Sequence, residues 1–147
     1  MDYTKFSGTY TVRRLLRDDI PSVFALCEKN PQYHEHCPPF VTPEKIEADM
    51  KAMPQRKTGQ EQDKYYLGYF DVHQRLVAVM DFIDHYPDAQ SGFIGFFMME
   101  KDLQGTGVGS SIITELCACL AQWDYQYLRD HTNDYTVVVM NRFLTKV

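Results

Sequence analysis

The chain is poor in the features that would assign it to several large protein classes. It has four cysteines in 147 residues, Cys27, Cys37, Cys117 and Cys119, and no CxxC pair. Zinc-ribbon and thioredoxin-type frameworks therefore have nothing to stand on. Cys117 and Cys119 lie two apart on a predicted helix, so they point to different faces and cannot pair with each other. His34-Glu35-His36-Cys37 carries ligand-type side chains beside Pro38-Pro39, but no second cluster is spaced to complete a shell, and no metal is expected. Positive charge is not in excess either: 15 Lys and Arg against 20 Asp and Glu leave −5, which removes the general electrostatic case for a nucleic-acid partner. The longest apolar run near the middle, Phe93 to Met99, falls far short of the ~20 residues a membrane helix needs. The opening MDYTKFSGTY is polar and lacks the basic-then-apolar pattern of a secretory signal. A cytoplasmic protein without a membrane partner is expected.

What remains is an ordinary globular composition, 44% apolar and 24% charged, and a length that suits a single domain over residues 1–147. GTYTVRRL alternates and predicts a strand near Thr9 to Leu15. Asp18 or Asp19 is placed to cap a helix with Pro21 in its first turn, and Ile20, Val23, Phe24 and Cys27 form its apolar stripe. A second helix is expected to start with Thr42 as N-cap and Pro43 at its first position. KYYLGYF, RLVAVMDFID and SGFIGFFMM then predict three strands of an antiparallel meander. The last is apolar on both faces and so belongs in the middle of a covered sheet. After EKDLQGTGVGSS comes an amphipathic helix with Ile112, Ile113, Leu116, Cys117, Leu120 and Trp123 on one face. YQYLR and YTVVVMNRFL are the last strand candidates. The order describes an α+β fold: a mixed, largely antiparallel sheet flanked by helices.

Gly105, Gly107 and Gly109 stand between a strand and a helix. Glycines reach positive φ, and the first amides of a helix have no internal acceptors, so this setting favours a bound phosphate group. No Lys follows the glycines, which excludes the Walker loop. The spacing and the late position in the chain disfavour a dinucleotide fingerprint. A nucleotide-phosphate enzyme is therefore not expected.

Gln104-Gly105-Thr106-Gly107-Val108-Gly109 resembles the Gln/Arg-x-x-Gly-x-Gly/Ala signature of the GNAT superfamily of N-acetyltransferases. The preceding strand, the following helix and the two helices after the first strand also fit, and the likeness runs from about Tyr10 to Leu128. The resemblance implies an acyl-CoA N-acyltransferase fold with acetyl-CoA as cosubstrate and a small-molecule or peptide amine as acceptor, joined by direct attack in a ternary complex. It implies that Gln104, Gly105, Thr106, Gly107, Val108, Gly109 and Ser110 hold the pyrophosphate through backbone amides. Phe97, Met98 and Met99 would pair with the pantetheine arm beside a bulge, and an amide near Met99 would polarise the thioester carbonyl. The family's usual carboxylate or His on that strand is missing. Asp81, which interrupts an apolar strand, is the substitute base, and His85 is the second candidate by its natural titration range. Asp84 is expected to be solvated beside the hairpin turn, and Glu100 to cap the strand end. Tyr33, His34 and Glu35 would lie on the acceptor side.

The end of the chain departs from the family. No helix with the usual Asn and Tyr follows YQYLR, and Tyr135 is the only tyrosine beyond Tyr127. A shortened or divergent C-terminal part is expected, with YTVVVMNRFL joining the chain's own sheet or a partner's and a homodimer as the outcome. An acyl-CoA-binding module without efficient catalysis is the alternative.

Overall fold

A computed structural model of the chain describes residues 1–30, 42–52, 64–130 and 137–139. Among the described residues, six strands form one sheet in chain order: β1 (Thr11–Arg14), β2 (Lys64–Phe70), β3 (Leu76–Ile83), β4 (Ser91–Met99), β5 (Tyr127–Asp130) and β6 (Val137–Val139). All neighbours are antiparallel except β4 and β5. Those two run parallel because a crossover helix, α3 (Val108–Gln122), returns the chain to the starting end of β4. Two further α-helices among the described residues, α1 (Ile20–Glu28) and α2 (Pro43–Lys51), precede the meander.

Alternation along the strands sends side chains to two separate cores. Tyr66, Phe70, Val79 and Met98 pack with Ile20, Val23, Leu26 and Cys27 of α1 and Ile46 of α2. Leu67, Tyr69, Met80, Phe82, Ile94 and Met99 pack with Ile112, Leu116, Cys117 and Leu120 of α3. Helices on both faces explain why every position of β3 is buried and why its sequence shows almost no polar alternation. Ile112, Leu116 and Leu120 are fully buried and contribute about 1.5–3 kcal/mol each. In α1, Leu26 is buried where the apolar stripe was expected to use Phe24, which is only partly covered.

The local signals are met where they were strong. Thr42 caps α2, its hydroxyl accepting from Lys45 N at 3.1 Å, with Pro43 in the first turn. Asp19 precedes α1 but does not cap it; its carboxylate accepts from Leu16 N and from the Arg13 guanidinium. At the C-terminal side, Val137–Val139 pairs antiparallel with β5, so this part of YTVVVMNRFL joins the chain's own sheet. Among the described residues no helix is long and apolar enough to cross a membrane.

The pairing of β3 with β4 is interrupted at one point. Asp81 lies opposite Phe96 but the next residue, Phe82, lies opposite Ile94, so Gly95 is an extra residue on β4. This is a β-bulge, and it bends the strand that carries it. Among the described residues, pairing between β4 and β5 covers Ser91 to Ile94.

Candidate active site

The turn before α3 is built on backbone conformations that glycine supplies. Gly105 has φ 75° and Gly107, the N-cap of α3, has φ 88°, values that cost an ordinary L-residue about 1–2 kcal/mol. A Cβ at either position would meet nothing within 4 Å. Conformation and not crowding therefore requires glycine, and among the described residues the space above the turn is open. The first intrahelical bond there runs from Ser111 N to Gly107 O at 3.0 Å. The amides of Val108, Gly109 and Ser110 precede it, and no side chain caps the helix. Thr106 turns its hydroxyl inward to the Leu103 carbonyl. Gly109 sets the first turn of α3 down on β4, its Cβ direction 3.6 Å from Met99 Cγ and 3.9 Å from Phe97 Cε2.

Beyond the bulge, β4 offers an edge. Glu100 N donates to Val77 O at 2.8 Å, which fixes the ladder. Hydrogen-bonded pairs then fall at Met98–Val79 and Phe96–Asp81, and the backbone groups of Phe97 and Met99 point away from β3. Among the described residues no strand pairs with that side of β4 after Ile94. The edge runs straight into the glycine turn.

Asp81 lies at the base of this edge. Its side chain points to the α1–α2 face and is ion-paired with Lys64, Nζ to Oδ2 3.0 Å, both side chains largely buried. Lys64 also donates to the carbonyls of Asp49 and Ala52 at the C-terminal end of α2. The partner that a carboxylate in an apolar strand demands is thus at least partly a protein group. Gly95 leaves the carboxylate its room, since a Cβ there would stand 3.1 Å from Asp81 Oδ2. Asp81 therefore sits beside the bulge, where β4 parts from β5.

His85 is placed elsewhere. It follows β3 at the hairpin, stacks on Tyr125 with ring centroids 5.2 Å apart, and its Nδ1 lies 2.9 Å from Ala89 O. The neighbouring Tyr86 pairs with Ser91, about 13 Å of strand before Gly95 at ~3.3 Å per residue. The structure does not bring His85 to Asp81 or to the glycine turn. Asp84 corrects an expectation: it is 4% exposed, not solvated, and accepts from the Tyr125 hydroxyl. The return of the chain from α3 delivers Tyr125 to the hairpin, which a local reading of a turn cannot foresee. Tyr33, His34, Glu35, Cys37 and Tyr135 lie outside the described residues.

Two features escaped the sequence. Glu100 is buried and pairs with Lys29 at 3.1 Å and Arg75 at 3.5 Å. Asn30, just after α1, bonds to both Gln104 and Met99. An Asn at a helix end reads only as a stop signal. Among the buried thiols, burial pushes Cys27 and Cys117 up to about 11, so neither is a thiolate nucleophile near neutral pH.

No protein-family model matches the chain, and no curated protein matches it. Solved structures do. An acetyltransferase from Thermus thermophilus superposes with TM-score 0.62 at 19% identity, covering 82% of this chain and 73% of that one. A chimera of the Vibrio cholerae spermidine N-acetyltransferase SpeG with hSSAT gives 0.58 at 13% identity, over 82% and 69%. A GCN5-related N-acetyltransferase from Kribbella flavida gives 0.53 at 14% identity, over 82% and 70%. At such identities the likeness speaks to architecture, and here it agrees with the bulge, the open edge and the glycine turn: the chain has the GNAT acyl-CoA N-acyltransferase fold.

Proposed function

We propose that the chain is an acetyl-CoA-dependent N-acetyltransferase acting on a primary amine of a small molecule or peptide. The observation that carries this reading is the open edge of β4 from Gly95 to Met99, which leads directly into the uncapped N-terminus of α3. In this reading the amides of Gly105 and of Gly107 to Ser110 bind the pyrophosphate, aided by the positive end of the helix, while the Thr106 amide donates to Leu103 O. The outward backbone groups of Phe97 and the outward N–H of Met99 pair with the amides of the pantetheine arm as a neighbouring strand would. One outward N–H of β4, at Met99 or at Phe97 nearer the bulge, polarises the thioester carbonyl. Asp81 accepts the proton of the attacking amine, directly or through water. One C–N bond forms and one C–S bond breaks, the released thiolate taking up a proton as the free thiol of CoA. His85 has no part in this arrangement unless the hairpin moves toward the edge. The setting is a cytoplasmic one.

A second reading, an acyl-CoA-binding module without efficient catalysis, is favoured by the Lys64 ion pair on Asp81 and by the lack of any ionisable side chain along β4. Calorimetry with acetyl-CoA, joined to a thiol-release assay over small amines and peptide N-termini, separates the two. Binding with CoA release supports the transferase; binding with no release from any amine supports the module; no binding removes both. A homodimer belongs to the proposal, since β6 is the last strand of the sheet among the described residues and has an edge that a second copy can extend. Light scattering at high concentration should give twice the chain mass, and a strict monomer would remove that part.

A further inference from the structure

We propose that Asn30 is a positioning residue for the acyl donor: with Gln104 it holds the Met99 carbonyl, locking the glycine turn and the β4 edge to the end of α1. The proposal rests on the donor site described above. The carboxamide of Asn30 is fully used. Its Nδ2 donates to Leu26 O at 2.9 Å and to Met99 O at 3.3 Å, and its Oδ1 accepts from Gln104 Nε2. Gln104 Nε2 also donates to Met99 O, at 3.2 Å. Each carboxamide offers two N–H donors, and in both side chains the two are committed. The three residues close a ring around one carbonyl.

That carbonyl lies on the edge proposed to receive the pantetheine arm. Left uncovered, it would present an acceptor to a slot whose ligand brings carbonyl oxygens of its own. With two side-chain donors on it, the Met99 position shows the slot mainly its N–H. The same ring fixes Gln104, the first residue of the turn, so the amides from Gly105 onward start from a set point. A second tie runs beside the first: Lys29 pairs with buried Glu100 at 3.1 Å. Consecutive residues at the end of α1 are thus bound to consecutive residues at the end of β4. Asn30 touches neither donor nor acceptor in this arrangement and acts through Met99 and Gln104.

The test uses the full chain and CoA itself as probe, with Asn30→Ala, Gln104→Ala and their combination. Each single change should weaken CoA binding about five- to twentyfold, the range of one or two lost hydrogen bonds. The double variant should be no more than about twofold worse than the weaker single, because both act on one ring. In turnover, KM for acetyl-CoA should rise by a similar factor with kcat held within about threefold. Asn30→Asp keeps the shape and the acceptor but loses both donors, and should bind no better than Asn30→Ala; it serves if the alanine variant does not fold. Unchanged CoA affinity in a folded Asn30 variant overturns the proposal, even if its Tm drops, and so do fully multiplicative effects in the double variant. Failure of the unaltered chain to bind CoA overturns the donor site itself and this proposal with it.

Discussion

The two halves of β4 are alike in lacking ionisable side chains and have opposite fates. Ser91 to Ile94 is paired on both sides, to β3 and to β5. Gly95 to Met99 keeps β3 and has no strand on its other side among the described residues. Both halves are apolar and both lie between the same two helical layers. The difference comes from one inserted residue, Gly95, and from where β5, parallel to β4, ends among the described residues, opposite Ile94. Side-chain chemistry therefore does little to tell the two halves apart, whereas backbone pairing does so directly.

The largest effect should come from closing the outlet of the open half. Gly107→Val puts a β-branched residue at φ 88° in otherwise open space. It should weaken CoA binding about a hundredfold while costing only about 2 kcal/mol of stability from backbone strain, as calorimetry and denaturant titration would read. Next is the carboxylate at the parting of the strands. Asp81→Asn should lower kcat about a hundredfold, the low end for a lost general base, with CoA affinity unchanged; unaltered turnover would remove Asp81 from the reaction. The comparison sharpens most with two matched glycine changes. A Cβ on Gly92 in the closed half would stand 2.7 Å from the Phe82 ring, so Gly92→Ala should cost about 1–3 kcal/mol as overpacking and leave the kinetics of the folded enzyme alone. Gly95→Ala meets only Asp81, Oδ2 nearest at 3.1 Å, and should shift kcat more than Tm. The smallest effect lies far from both halves, at the Asp19 carboxylate, which the hydrogen-bonded Arg13 guanidinium holds below its ordinary range. Its contribution is present above pH ~4 and fades as acid protonates it. Asp19→Asn should cost no more than about 1 kcal/mol at pH 7 and less at pH 3.

The strands of the meander, Thr42 as a cap and the glycine turn were legible in the sequence because each is set by neighbours along the chain. Alternation, a hydroxyl three residues before an amide, and glycines between strand and helix are local signals. Asp81 stood out as a carboxylate in an apolar run, but its partner did not. Lys64 reaches it only through the register of β2 on β3, and register is a property of two strands together. The burial of Asp84 depends on Tyr125, 41 positions away, and the Asn30–Gln104 contact spans 74. Such contacts leave no periodic trace. Phe97 and Met99 could be named from a family likeness, while the direction of their amides needed the ladder that Glu100 N fixes against Val77.

In the proposed reading the bulge at Gly95 also makes the site a gauge of length. From the parting of the strands to the last residue of β4 is about 13 Å, at ~3.3 Å per residue. One end of that distance is marked by a carboxylate and the other by a turn of open amides. A molecule is engaged at both ends only if its anionic group and its reactive carbon are separated by an extended arm of roughly that span. In the proposed reading, small acyl donors such as acyl phosphates would fill one end and leave the other idle, so the span would favour a long-armed carrier.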